Sequence, residues 1–177
     1  MENQNFYPIQ YIEPVTLADG TIIQLRPIHP ADGQKALSFK DKLSTESLYN
    51  RFLGLAPKIT AELINRLTLL DYSQEMAIVA EIPKESKKEK EVIAVARLAK
   101  VQAYEAEFAI IIIDAWQGKG LGLIMTNYMI SIAKDMGFQK ISAWFFSDNL
   151  KMADIFTEKG FVIKQLEQGM DYAELVL

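Results

Sequence analysis

The spacing of apolar and polar residues changes several times along the chain, and each change predicts an element. VTLADGTIIQLRPI holds two apolar stretches flanking Asp19-Gly20, a strong turn signal, and predicts a hairpin ending at Pro27. His29-Pro30-Ala31-Asp32 opens a helical segment to about Lys42, with Pro30 in a first turn where its missing N–H costs nothing. Ser44, followed by Glu46 and Ser47, starts a second helix over SLYNRF. Thr60 caps a third, with Ile59, Leu63, Leu67 and Leu70 along one face. Strands are expected at 76–82, 92–101 and 105–113, and the charged run PKESKKEKE, 83–91, reads as a solvated hairpin loop. From 118 to 136 the period becomes helical: Leu121, Ile124, Met125, Tyr128, Met129, Ile132 and Met136 recur at three and four, and Gly137 stops the helix. A strand at 140–145, a short helix at 149–159 stopped by Gly160, and strands at 161–166 and 170–176 with Gln168-Gly169 at their turn complete the chain. This order predicts one mixed α/β layer with a largely antiparallel start, without repeats or linkers.

The most informative stretch is EFAIIIIDAWQGKGLG, residues 107–122. Ile110 to Ile113 lack alternation, as in a strand buried on both faces, and Trp116 is expected to cover its end. Gln117, Gly118, Lys119, Gly120, Leu121 and Gly122 then fall where the long helix begins. Unpaired N–H groups and the positive end of the helix dipole collect there, and glycines let a ligand reach the backbone. The result is a cradle suited to phosphate or pyrophosphate. It is not a P-loop, because the Gly-Lys-Ser/Thr ending is missing, and it lacks the spacing and distal acid of a dinucleotide fingerprint. A tight strand-to-helix turn with close packing is the alternative.

Composition narrows the chemistry. Half of the 177 residues are apolar, enough for a continuous core, and the net charge of −4 gives no global reason to expect nucleic acid. With no cysteine and one histidine, disulfides, thiolate nucleophiles and a metal site have no support. His29, beside Pro30 at a helix start, suits a capping or surface role. No stretch approaches about 18 uninterrupted apolar residues, so no membrane span is expected. MENQNFYPIQ lacks the basic and apolar regions of a secretory signal. Residues 1–14 read as a leader to a domain at 15–177, and the expected location is cytoplasmic.

Residues 117–122 resemble the acyl-CoA-binding motif of the GNAT N-acetyltransferase superfamily, Gln/Arg-x-x-Gly-x-Gly/Ala, with Gln117, Gly120 and Gly122 in order. NLKMADIFTEKGF, 149–161, is similar to the superfamily's second recognisable element. TIIQLRPIHPADG and LSTESLYNRFLG resemble the opening of the acetyltransferase domain of bacterial protein-lysine acetyltransferases. The resemblance covers roughly residues 15–177. It implies a single domain with a splayed central sheet, acetyl-CoA (coenzyme A) as cofactor, and acetyl transfer to a primary amine. The acceptor would be a protein lysine, a protein N-terminus or a small amine. A homodimer through the terminal strands is common in the fold.

The resemblance also implies roles. The cofactor arm would pair with open backbone near Ile111 and Ile113, with Ile111 a candidate oxyanion donor, while amides of Gln117 to Gly122 meet the pyrophosphate. Lys119 would add charge outside the cradle; an ordinary exposed lysine is the alternative. Glu107 would be the general base, although Glu105, two residues away on the same strand face, leaves a solvated edge carboxylate as the competing reading. Asn149 would contact the cofactor arm or cap its helix. Phe156 stands where many members carry a tyrosine that protonates the departing thiolate. Phenylalanine has no such proton, so Phe156 would pack against the cofactor or in the core. This substitution keeps open a second reading, a non-catalytic acyl-CoA-binding regulatory module. A second departure is Ile113, where the subgroup often has a charged residue. Tyr49, Arg51, Phe52 and Tyr172 would line the acceptor side.

Overall fold

The computed structural model describes residues 7–83 and 89–177. Strands β1 (Glu13–Thr16) and β2 (Ile22–Pro27) form the expected hairpin. A 3-10 turn at Pro30–Lys35 leads into α1 (Ala36–Lys40), so the first predicted helix is half 3-10 in character. His29 caps that turn, its Nδ1 accepting from the Ala31 N–H, and Asp32 returns the bond to the His29 N–H. Helix α2 (Thr45–Phe52) is capped by Ser44 and α3 (Ala61–Thr68) by Thr60. Then come β3 (Glu75–Pro83), β4 (Lys90–Gln102), β5 (Glu105–Ile112), α4 (Leu121–Asp135), β6 (Lys140–Phe146), α5 (Leu150–Glu158), β7 (Val162–Gln165) and β8 (Met170–Val176). The hairpin predicted around the charged run is present, because β3 and β4 pair antiparallel. Residues 84–88 of that run lie outside the described residues.

The strands make one sheet in the order β1-β2-β3-β4-β5-β6-β8-β7. Among the described strands, only the β5–β6 junction is parallel, as a helical crossover through α4 requires. Both faces of the sheet centre are covered. On β3, Met76, Ile78 and Ala80 join the larger core beneath α4 and α5, while Ala77 and Val79 join a smaller one on the other face. Met125, Met129, Ile132 and Ala133 are fully buried and give α4 its inward stripe. The helix ends in a Schellman motif: Phe138 N–H bonds Ala133 C=O, Gly137 N–H bonds Lys134 C=O, and Gly137 takes φ 81°. Among the described residues, no helix is long and apolar enough to cross a membrane.

A buried ionic cluster fastens the start of the helical layer to the sheet. Arg26 makes two bonds of 2.7 Å to Asp32 and one of 2.5 Å to Glu81, and Lys35 reaches Glu81 at 3.1 Å. Asp32 and Glu81 are 7% and 3% exposed. Burial alone would raise both carboxyls, but the charged hydrogen bonds from Arg26 outweigh it and hold both below their ordinary values.

One expectation needs correction. Ile110 to Ile112 are only half-buried; Ile113 alone of the run is buried. The apolar run predicted a strand covered on both faces. Instead, its second half borders a cleft.

Candidate active site

The cleft follows from how β5 and β6 pair. Their partners are Glu105 with Lys140, Ala106 with Ile141 and Glu107 with Ser142, and beyond Glu107 the pairing stops. Strand β5 continues on β4 to Ile112, so the strands diverge from a vertex at Glu107. The gap is lined by Phe108 to Ile112, by Ala143 to Phe145, by the glycine turn and by one side of α5. Its volume is about 670 Å³, within the range of small-molecule and cofactor sites.

Register decides which backbone faces the gap. Ile113 N–H bonds Ile93 C=O, so Ile113 and, by alternation, Ile111 and Ala109 direct their peptide groups to β4. Phe108, Ile110 and Ile112 direct theirs to the cleft. Ile111 and Ile113 are therefore not the open edge, and Ile111 is not a free oxyanion donor. Ile110 offers the nearest open pair of groups. The Ile112 carbonyl accepts from Gln117 Nε2 at 3.1 Å.

At the far end of the cleft, Asp114–Trp116 forms a short 3-10 turn before the glycines. Trp116 is partly buried against the core beside the strand end. Gly118 and Gly120 take φ of 73° and 80°, the left-handed region that favours glycine. These turns place the start of α4 at Leu121 rather than at Gly118. Backbone N–H groups of 118–123 form no hydrogen bond with the described residues. The Gln117 N–H is different: it bonds the Asp114 carbonyl at 3.2 Å and is not available to a ligand. Gly122 is tight for another reason, since a Cβ there would meet Ile155 Cδ1 at 2.9 Å. Alternating left-handed residues turn successive amides to one side, and the helix dipole adds to them, which makes a concave anion site. Gly120→Ala is expected to destabilise the protein by about 1–2 kcal/mol, the cost of a Cβ in the left-handed region, read as a lower urea midpoint.

Side chains the sequence did not single out complete this end. Asp114 accepts from Ser44 N–H at 2.8 Å and Ser47 Oγ at 3.2 Å. Burial would raise its carboxyl, but these bonds hold it below the ordinary range. Gln117 Nε2 also donates to Ser47 at 2.9 Å, and Lys151 Nζ donates to Gln117 Oε1 at 3.1 Å. Gln117 thereby joins β5, α2 and α5 around the cleft. Lys151 puts a cation on the cleft wall. Lys119 does not line it; its Nζ lies over the Trp116 ring, 4.9 Å from the centroid, and 3.9 Å from Asp19. Asn149 both lines the cleft and caps α5, accepting from Met152 N–H at 3.3 Å. Phe156 is 1% exposed and packs with Phe108, Phe145 and Phe161 in the core, and it also belongs to the cleft lining.

At the vertex, the two neighbouring carboxylates differ. Glu105 pairs with Lys140 at 2.8 Å and accepts from the Tyr172 hydroxyl at 3.4 Å. Burial would raise it, and the bonds from Lys140 and Ser142 lower it. The Glu107 side chain is exposed, and its carboxylate has no hydrogen bond or ion pair among the described residues. It shares its face of β5 with Ala109 and Ile111, towards α2. On α2, Arg51 lines the cleft, Tyr49 stacks on Phe146 with centroids 4.8 Å apart, and Phe52 lines an adjoining cavity. Tyr172 stands over Trp144, 4.9 Å between centroids. Among the described residues no cluster of three or more His, Cys, Asp or Glu could hold a metal ion.

Comparison with known proteins agrees with this geometry. The profile of the acetyltransferase (GNAT) family matches residues 46–161. An acetyltransferase of Pseudomonas aeruginosa is 29% identical over 148 residues, 83% of this chain and 78% of its own length. The acetyltransferase Pat of Mycolicibacterium smegmatis is 30% identical over 164 residues, 92% of this chain but 48% of its own length, so the chain spans about half of that relative. The crystal structure of the GNAT domain of S. lividans PAT superposes with a TM-score of 0.87 at 29% identity, covering 97% of this chain and 99% of that one. A Salmonella typhimurium protein, a putative acetyltransferase solved with its cofactor acetyl-CoA, shares the fold with a TM-score of 0.67 at 17% identity, covering 88% and 94% of the two chains. With the profile spanning most of its length and the splayed sheet and glycine turn in place, this chain belongs to the acetyltransferase (GNAT) family.

Proposed function

We propose that this chain transfers an acetyl group from acetyl-CoA to a primary amine, with Glu107 as the general base. One observation carries the reading: the unbonded amides of 118–123 open onto a cleft whose vertex holds an uncommitted carboxylate. The amides of Gly118, Lys119, Gly120, Leu121, Gly122 and Leu123 suit a pyrophosphate, and Lys151 adds charge beside them. The open peptide groups of Phe108 and Ile110 suit the amides of a pantetheine arm. Acetyl-CoA supplies an activated thioester, so no protein nucleophile is required.

An alkyl amine with a pKa of about 10.4 is protonated at neutral pH. Glu107, directly or through one water, takes that proton so that the nitrogen lone pair can attack. The Ile110 N–H is the open donor nearest the reacting carbonyl's path and the candidate for holding the oxygen. The likeness to bacterial protein-lysine acetyltransferases makes a protein lysine one acceptor class; a protein N-terminus and small amines are the others.

The test is thiol release from acetyl-CoA with a panel of amines and lysyl peptides, beside calorimetry with CoA. Amine-dependent release with CoA binding supports catalysis. Phe156 favours a second reading, because it has no proton for the leaving thiolate. That reading, an acyl-CoA-binding regulatory module, expects CoA binding without release by any amine.

A further inference from the structure

Behind the acceptor side of the cleft lies a second cavity, of about 130 Å³, between the helical layer and the sheet. Phe39, Leu48, Leu63, Leu67, Val95 and Ile111 make its wall largely apolar. Arg51 and Ile111 line both this cavity and the cleft, so the two spaces adjoin there.

The charged groups around the cavity are not equivalent. Asp32 and Lys35 belong to the Arg26 cluster, Lys40 lies 3.9 Å from Asp41, and Arg97 bonds Glu75 at 3.1 Å. The Arg51 side chain has no hydrogen bond or ion pair among the described residues, only the Phe52 ring 5.4 Å from its guanidinium carbon. Burial pushes its pKa down to about 10, the nearby Arg97 charge adds to that fall, and Glu107 opposes it. Arg51 and Glu107, at the vertex where β5 and β6 part, thus carry opposite charges that are electrostatically coupled without a direct ion pair. A guanidinium that solvent reaches but no described side chain pairs suits a carboxylate, which it can grip through two parallel bonds.

We infer that the acceptor is a zwitterionic α-amino acid with an aliphatic side chain: its carboxylate on Arg51, its ammonium at Glu107 and its side chain in the cavity past Ile111. This rests on the acetyl-transfer reading above. A cavity of about 150 Å³ holds benzene, so this one has room for roughly four to six carbon atoms, the size of a leucine, isoleucine or methionine side chain. Glycine would leave the cavity unfilled. A simple amine would leave Arg51 without a partner. In the reaction, the C–N bond forms as the thioester C–S bond breaks. The ammonium gives up two protons, one matched by protonation of the thiolate and one released to solvent, leaving the N-acetyl amino acid and CoA thiol.

The experiment compares thiol release with leucine, glycine, 3-methylbutylamine (leucine without its carboxylate) and a lysyl peptide. Leucine is expected to exceed both glycine and 3-methylbutylamine by about 10²-fold in kcat/KM, from the filled cavity and the paired carboxylate respectively. Arg51→Met removes the preference over 3-methylbutylamine. Ala36→Phe or Val95→Phe, filling the cavity from either side, removes the preference over glycine; CoA binding by calorimetry reports that each variant is folded. If the lysyl peptide or 3-methylbutylamine is acetylated as well as leucine or better, the inference falls and acetyl transfer stands. If no amine releases thiol, both fall.

Discussion

Glu107→Gln is expected to lower kcat by about 10²- to 10⁴-fold, the usual worth of a positioned general base of the kind proposed above, and to leave the affinity for CoA unchanged. The substitution keeps the shape of the side chain and removes only its ability to accept the proton. The expectation depends on the contrast between two carboxylates two residues apart. Glu105 is held by Lys140 at 2.8 Å and by the Tyr172 hydroxyl. Glu107 is exposed, at the point where β5 and β6 part, with nothing among the described residues occupying its oxygens. Glu105→Gln is therefore the control, and its effect on kcat should be far smaller. Steady-state kinetics with saturating acetyl-CoA and amine decide the matter. A Glu107→Gln enzyme with kcat within twofold of the wild type removes the residue from its assigned role.

The second large effect is on stability. Arg26→Met should cost about 3–5 kcal/mol at neutral pH, because it leaves Asp32 and Glu81 as buried carboxylates without their main partner. Lys35, itself partly exposed, remains beside them and offsets only part of the loss. The pH dependence gives an independent reading. Folding holds both carboxyls below their unfolded values of about 3.9 and 4.3. A lowered folded pKa contributes stability that is complete above the unfolded value and fades as pH falls through the folded one. Wild-type stability should therefore decline as pH drops below about 4. In Arg26→Met, desolvation is no longer opposed by the guanidinium, so protonation relieves the buried charge and the deficit narrows on acidification. Urea denaturation at pH 7 and at pH 4 measures both. A loss below about 1 kcal/mol at pH 7, in the range of exposed ion pairs, would contradict it.

The elements were legible wherever a local rule sufficed. The Asp19-Gly20 turn, the Ser44 and Thr60 caps, the three-and-four period of α4 and its Gly137 stop all act within a few residues. So does the glycine turn before α4, which pointed to the cleft. What escaped depends on partners far away in the chain. Whether Ile111 or Ile110 opens its backbone to the cleft is settled by the Ile93–Ile113 pair, that is, by register with β4. An apolar run looks the same whether β6 closes against it or diverges, so the half-exposure of Ile110 to Ile112 could not be read from its composition. The Gln117 amide is lost to Asp114 through a short 3-10 turn that has no clear sequence signature. Arg26 and Glu81, 55 residues apart, meet only once β2 lies beside β3. Arg51 was named for the acceptor side through the resemblance, but that its guanidinium has no partner among the described residues and borders two spaces emerges only with the fold. Lys151 was the nearest to being found, two residues beyond Asn149 in a segment already singled out.

Amides at the start of α4 are proposed to grip the phosphates of CoA. Backbone amide NMR of the 15N-labelled protein during titration with CoA tests it most directly. The N–H signals of Gly118, Lys119, Gly120, Leu121, Gly122 and Leu123 are expected to shift most, and loss of the pyrophosphate, using pantetheine in place of CoA, is expected to abolish those shifts. Saturable CoA binding with these six signals unmoved, or no shift anywhere in a folded sample at millimolar CoA, would contradict it.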